Sequence, residues 1–363
     1  MMTPATNHDS TETRWGPASG IVALIALVLS ILVLTFAWSG ARGEPAGLTL
    51  AVTGEQQLVD GFLSGAGESL EDIVEIEEVA DRDEALTGVE EREYIGALVL
   101  EDGAPEVLLA SAAGQVPLAV MTEIASRLQG NLDTQIYQAL RTAVERSPDP
   151  KAALGQLPPA LPEVETTDVA AYSEGDPTGA GVIAAGIPLT VGGLLSGIVL
   201  AFTVRGRWQR VSAVLGFGIT GGLLLALVLT TWLEIYPASF GMVWLVLGTS
   251  LAATSGLFVG LHSVLGRPGL GLAGFLTLFA AMPWAAFAVP YAFLPGGLGY
   301  FGQWLIPGAT STLTRTVSYF PEAATAQQWW ILSCWLLLGL VLTALTKRAS
   351  NGRRLPQAIP TPA

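Results

Sequence analysis

The sequence predicts a polytopic α-helical membrane protein, with six transmembrane helices and an extracytoplasmic α/β domain inserted between the first and the second. Three observations predict it. Apolar residues make up 51% of the 363-residue chain and charged ones only 13%, about half the charged share of an ordinary soluble domain. Several uninterrupted apolar runs reach the roughly 18–20 residues that cross a bilayer core. The charge is also segregated: 27 of the 31 acidic residues fall within 43–178, against six basic ones, and the rest of the chain is net basic.

Residues 1–19 form a polar tail. Residues 20–38 are apolar throughout, and Trp15 and Trp38 flank them where an aromatic belt would sit. This run exceeds the roughly 7–15 residues of a secretory core, which favours an uncleaved anchor. A signal peptide cut near Ser39-Gly40-Ala41 is the alternative.

From 43 to 178 the pattern becomes that of a water-soluble domain. Strands are expected at 48–53, 73–79, 94–100 and 106–112, and helices at 55–70, 82–91 and 115–146. In the last helix Met121, Ile124, Leu128, Leu132, Ile136, Leu140 and Val144 advance by three or four, which is helical amphipathicity. The order β-α-β-α-β-β-α suggests a small α/β sandwich. A proline-rich linker at 148–162 returns the chain to the membrane.

Five further spans are expected at 179–204, 211–233, 238–264, 269–294 and 329–346, followed by a basic tail at 347–363. Arg205, Arg207 and Arg210 lie between the second and third spans, Arg267 between the fourth and fifth, and Lys347, Arg348, Arg353 and Arg354 after the sixth. The opposite loops hold Glu234, Glu322 and a single Arg315. Basic residues in short loops mark the cytoplasmic side. Both termini are therefore expected inside the cell membrane, with 43–178 outside.

The connection at 295–328 is too apolar for an aqueous loop and too broken by glycine and proline for a span. An interfacial or re-entrant element fits, with Tyr300, Phe301, Trp304, Tyr319 and Phe320 at headgroup depth. Together with Pro307 and Arg315 these residues either anchor the membrane surface or form an outer gate. Arg315 is placed to meet a lipid phosphate, a substrate anion or a carboxylate of the outer domain.

Small residues recur four apart: Gly193 with Gly197, Gly218 with Gly222, and Gly256 with Gly260. Such spacing lets helix backbones approach closely, either within the chain or across a homodimer seam.

The residue inventory excludes several chemistries. Neither lysine, Lys151 or Lys347, follows a glycine-rich phosphate loop, so no Walker A sequence exists. His8, His262 and the single Cys334 do not make a catalytic or zinc cluster. No cofactor, metal or catalytic residue is expected, and no cationic face offers itself to nucleic acid. The spans carry almost no ionisable group, whereas ion-driven transporters place such groups at mid-membrane. Any transport would then draw its energy from a partner.

One amino-terminal span, a large outer domain and five further spans resemble the permease subunits of type-2 ABC exporters. They also resemble the phage-infection-protein (Pip/YhgE-like) membrane proteins. The stretches Leu-Pro-Gly-Gly-Leu-Gly, Gly-Gln-Trp-Leu-Ile-Pro-Gly-Ala and Thr-Arg-Thr-Val-Ser-Tyr-Phe within 294–320 look like the outer loop before the last span in actinobacterial members, and Leu109-Ala110-Ser111-Ala112-Ala113-Gly114 is similar to their outer domain. The first resemblance implies a dimeric export permease with a separate cytoplasmic ATPase, coupled through Arg205, Arg207, Trp208 and Arg210. That loop is very short and the amino-terminal tail has no apolar stripe, which is where the chain departs from the exporter pattern. The competing expectation is a non-transporting surface protein whose outer domain binds a secretion component, a wall polymer or a phage.

Overall fold

The computed structural model describes residues 48–70, 74–101, 105–146 and 162–345, together with Ser30 and Leu34, both helical. The expected first span at 20–38, the two tails and the linker up to 161 otherwise lie outside the described residues.

A five-stranded sheet is built from β1 (Thr49–Gly54), β2 (Glu75–Glu78), β3 (Gly96–Leu100), β4 (Glu106–Leu109) and β5 (Glu165–Asp168), in the order β2-β1-β3-β4-β5. Strand β1 runs parallel to β2 and β3, β3 and β4 form an antiparallel pair, and β5 joins β4 in parallel. The central strand β3 is buried along its whole length, as expected of a strand covered on both faces. One face carries Leu50, Val52, Leu98 and Val107 and is covered by α1 (Gln56–Leu70) through Val59 and by α3 (Gln115–Arg146) through Met121 and Ile124. The other carries Ala51, Ala97, Val99 and Leu108 and is covered by α2 (Arg82–Glu90) through Ala85 and Val89. Asp81 starts α2 by accepting from the Glu84 amide, an orphan donor of the helix start, and the Glu84 carboxylate in turn accepts from the Ala80 amide just before the cap.

Among the described residues four helices are long and apolar enough to cross a membrane: α4 (Ala180–Thr203), α5 (Arg207–Ala226, continued by a π turn to Trp232), α6 (Phe240–Leu265) and α10 (Ala326–Ala344). They mark the chain as membrane-inserted. Helix α6 is the axis of the bundle: 78% of its most apolar window is buried inside the protein, against 33%, 22% and 22% for α4, α5 and α10. The peripheral helices leave Leu195, Val199, Ile219, Leu224, Leu337 and Val341 exposed, an apolar surface that water would penalise and lipid would not.

The run at 269–294 does not form the continuous span expected of it. Helix α7 (Arg267–Phe275) passes into a π turn at Leu276–Ala281 and a 3₁₀ turn at Met282–Trp284, and there the helical backbone ends. From Arg267 to Ala281 such a helix rises only about 22 Å, short of a hydrocarbon core of about 30 Å. Pro283 has no amide to donate and its ring crowds the preceding turn. The residues that follow are greasy for another reason: Met282, Trp284, Ala285 and Ala286 are buried in protein. Irregular backbone at membrane depth is tolerated where protein covers it. The chain then makes short turns to α8 (Leu298–Gln303) and α9 (Ile306–Tyr319).

The sheet and the bundle share one core. The α2 face of the sheet is continuous with Val182, Ala226, Ile235, Tyr236 and Val243 at the ends of the long helices, and with Tyr319, Phe320 and Ala323.

Candidate functional site

Helix α9 is the anomaly of the bundle. Pro307 occupies its first turn, where a missing amide costs nothing, and 11 of its 14 residues are buried. Yet Thr310, Thr312, Thr314, Arg315 and Thr316 are among the buried ones. Burying hydroxyls requires partners, and most are supplied. Thr310 donates to the Ile306 carbonyl and lies 2.7 Å from the Ser250 hydroxyl on α6, Thr314 donates to the Thr310 carbonyl, and Thr312 donates to the Gln303 side chain. Ser311 donates to the Ala286 carbonyl in the broken stretch, so the irregular backbone is pinned by the polar side of α9.

Arg315 is 3% exposed. Its Nη2 donates to the Phe287 carbonyl at 2.9 Å, its Nε has no partner, and it forms no ion pair among the described residues. Tyr172 and Tyr319 meet edge to face at 5.7 Å, and the Tyr319 hydroxyl donates to the Ile235 carbonyl, which also receives Ser173. A second arginine reaches the same helix from the sheet side. Arg92 sits in the turn after α2 with φ of 65°, a conformation that costs a side-chain-bearing residue about 1 kcal/mol or more. From there its Nη1 donates to Thr316 Oγ1 at 2.6 Å and its guanidinium lies over the Phe320 ring at 5.0 Å. Burial, and then the positive charge of Arg315, push the Arg92 guanidinium down to about 10.

Beside Arg92, between sheet and bundle, a partly open cavity of about 340 Å³ is lined by Tyr94, Tyr291, Tyr300, Thr316 and Gln328 among others. Comparison with protein-family models, curated proteins and solved structures found no match. The residues themselves must therefore carry the reading. Guanidinium, phenol and hydroxyl groups recognise anions and hydrogen-bond acceptors. Among the described residues no group of three or more His, Cys, Asp or Glu is placed to hold a metal.

The residues expected at the outer gate divide into two sets. Tyr300, Phe301 and Trp304 are 50–61% exposed on and just after α8, and the Trp304 carbonyl is held by Trp335 Nε1 of α10. Pro307, Arg315, Tyr319 and Phe320 are instead buried. Tyr319 and Phe320 are covered by residues of the connections that flank the sheet, Tyr172 against one and Arg92 against the other. Of the three partners open to Arg315, a carboxylate of the outer domain is not in contact with it among the described residues; the guanidinium donates to a backbone carbonyl.

In the short loop between α4 and α5, Arg205, Arg207 and Trp208 are exposed, with Arg207 over the Trp208 ring. Arg210 turns inward. It donates to the carbonyls of Val204 and Ala201, which end α4, and to Ser263 of α6. The glycine pairs are consumed within the chain. A Cβ at Gly193 or Gly197 would strike Thr254 or Phe258 of α6, one at Gly218 or Gly222 would strike Ala252 or Gly248 of α6, and Gly260 abuts the Gly339 backbone of α10, with Gly256 beside it.

Arg92 is not among the site residues expected from the sequence. The one available signal was a lone cation set in a run of acids.

Proposed function

We propose that the chain is a permease subunit that handles an amphipathic or lipid-like substrate in the cell membrane, with energy from a separate ATPase. In this reading the chain crosses six times: the run at 20–38 is the first span, α4, α5, α6 and α10 are continuous ones, α7 with the irregular stretch after it makes the fifth crossing, and both termini are cytoplasmic. The sheet domain, inserted at 43–178, covers the outer end of the bundle. The observation that carries the reading is the polar helix α9, buried among apolar spans and braced against a helix that stops part-way. Polar groups at such depth are costly and are usually retained for a pathway or a binding site. Discontinuous helices are also how membrane carriers build sites near the middle of the bilayer.

A second reading has its own support. The link between α4 and α5 is minimal, and Arg210 is committed to internal bonds, which leaves Arg205, Arg207 and Trp208 of that link for an ATPase to grip. That favours a non-transporting, Pip/YhgE-like surface protein whose sheet domain binds an outer partner.

Purification of the full-length chain in mild detergent separates the two. The permease reading expects a stoichiometric nucleotide-binding subunit, lost when Arg205→Glu and Arg207→Glu are combined. An outer partner retained by both forms, with no such subunit, overturns it.

A further inference from the structure

We propose that the cavity between the sheet and α9 is a binding site for a phosphate-bearing headgroup, with Arg92 as its anion-binding residue and Gln328 as an acceptor for a headgroup hydroxyl or amine. The site holds under either reading of the protein's role, because it rests only on the junction of sheet and bundle.

The first argument is the unmatched charge. Arg92 is half-buried, and its only side-chain partners among the described residues are the Thr316 hydroxyl and the Phe320 ring. It forms no ion pair among them, and the second cation, Arg315, is near enough to oppose it. A guanidinium withdrawn from water without a counter-ion is unfavourable unless an anion completes it. One Nη of Arg92 is held by Thr316, which fixes the planar fork and leaves its other donors for a bidentate acceptor such as phosphate. The backbone strain at Arg92 has the same sense: the turn holds an unfavourable conformation to deliver this side chain to α9.

The second argument is the rest of the lining. Gln328 Oε1 is buried and receives no hydrogen bond among the described residues, so the cavity offers an acceptor as well as a cation. A phosphate alone would leave that acceptor unmet, whereas a phosphoglycerol or phosphoethanolamine group would supply the donor. The rim is aromatic: Tyr300 lines the cavity, makes an edge contact with Tyr291 at 5.1 Å, and is 55% exposed beside the exposed Phe301 and Trp304. Such rings settle at the headgroup level of a bilayer. Glu91 and Glu93 also line the cavity, and both are exposed. They repel a free phosphate that approaches through water, while a headgroup sliding in along the membrane meets Tyr300 first. The volume, about 340 Å³, leaves room for a small phosphodiester headgroup.

The test uses the full-length protein in detergent, with thermal unfolding followed against added dioctanoyl phosphatidylglycerol and, separately, glycerol 3-phosphate. A ligand that binds only the folded state raises the midpoint saturably. Phosphatidylglycerol is expected to do so, and Arg92→Gln is expected to raise the half-saturating concentration roughly tenfold or more, as for loss of a charged hydrogen bond. Ala324→Trp, at the exposed rim of the cavity, is expected to do the same without touching Arg92, and so carries the test if Arg92→Gln does not fold. Arg127→Gln, on the exposed part of α3, is the control and should respond as the parent does. If glycerol 3-phosphate alone produces the Arg92-dependent response, the anion comes from a soluble ester. If only the lipid does, it comes from the membrane. The proposal is overturned if neither ligand saturates, or if a folded Arg92→Gln or Ala324→Trp protein responds like the parent.

Discussion

A single methyl group tests whether the small residues of the bundle act inside the chain. At Gly222 on α5 an added Cβ would lie 2.5 Å from the Gly248 Cα of α6, whereas at Gly216, six residues earlier on the same helix, nothing lies within 4 Å. Carbon atoms rest about 3.5–4.0 Å apart, so Gly222→Ala must push two helix backbones apart by about 1 Å. Backbone cannot swing aside as a side chain can, and such overpacking costs about 1–3 kcal/mol. Gly216→Ala meets no obstacle and gains up to about 1 kcal/mol from the better helix propensity of alanine. At roughly 2–4 °C per kcal/mol for a bundle of this size, Gly222→Ala should lower the unfolding midpoint in detergent by about 2–12 °C. Gly216→Ala should leave it unchanged or raise it. The assay is intrinsic tryptophan fluorescence on heating, with size-exclusion chromatography to confirm a single species. Equal midpoints for the two variants would refute the argument that α5 and α6 meet through Gly222.

Two further outcomes follow from side chains outside the glycine seam. Arg210→Ala removes three donors from the α4–α5 turn and should cost about 2 kcal/mol or more, read as a lower unfolding midpoint, and Arg210→Lys should recover only part of the loss because an ammonium lacks the planar fork. The hydrogen bond from Arg82 holds the Glu106 carboxyl below its usual range, and folding linked to a depressed carboxyl loses that stability as the pH falls through the folded value. Arg82→Ala should therefore lower the midpoint slightly at neutral pH, by an amount discounted because Arg82 is 42% exposed. The gap between variant and parent should close below the ordinary carboxylate range.

Local pattern carried much of the fold. The apolar stripe at Met121 and Ile124 was readable because burial on one helix face repeats every three or four residues, and the runs of α4, α5, α6 and α10 because they are long, apolar and uninterrupted. Strand β5 was not, since Glu165-Thr166-Thr167-Asp168 is polar on both faces and is held by pairing with β4 rather than by burial. The break after Ala281 was hidden for the opposite reason: protein and lipid both reward greasy residues, so composition does not say which of them covers 282–294. The candidate site was half legible. Arg315 drew attention as the lone cation of its loop, but Arg92 is brought to it by tertiary packing alone, from 224 positions away to Thr316. The buried threonines of α9 look like any mixed helix until their partners on α6, α8 and the broken stretch are known.

The central claim is that the sheet domain lies on the outer side of the membrane and the arginine loop on the inner side. It is tested most directly by labelling intact cells with a membrane-impermeant maleimide, in a background where the exposed Cys334 is replaced by serine. Tyr137→Cys, at a position 70% exposed on α3, should label before lysis, and Arg205→Cys only after it. The reverse pattern, or equal labelling of both before lysis, would contradict the account.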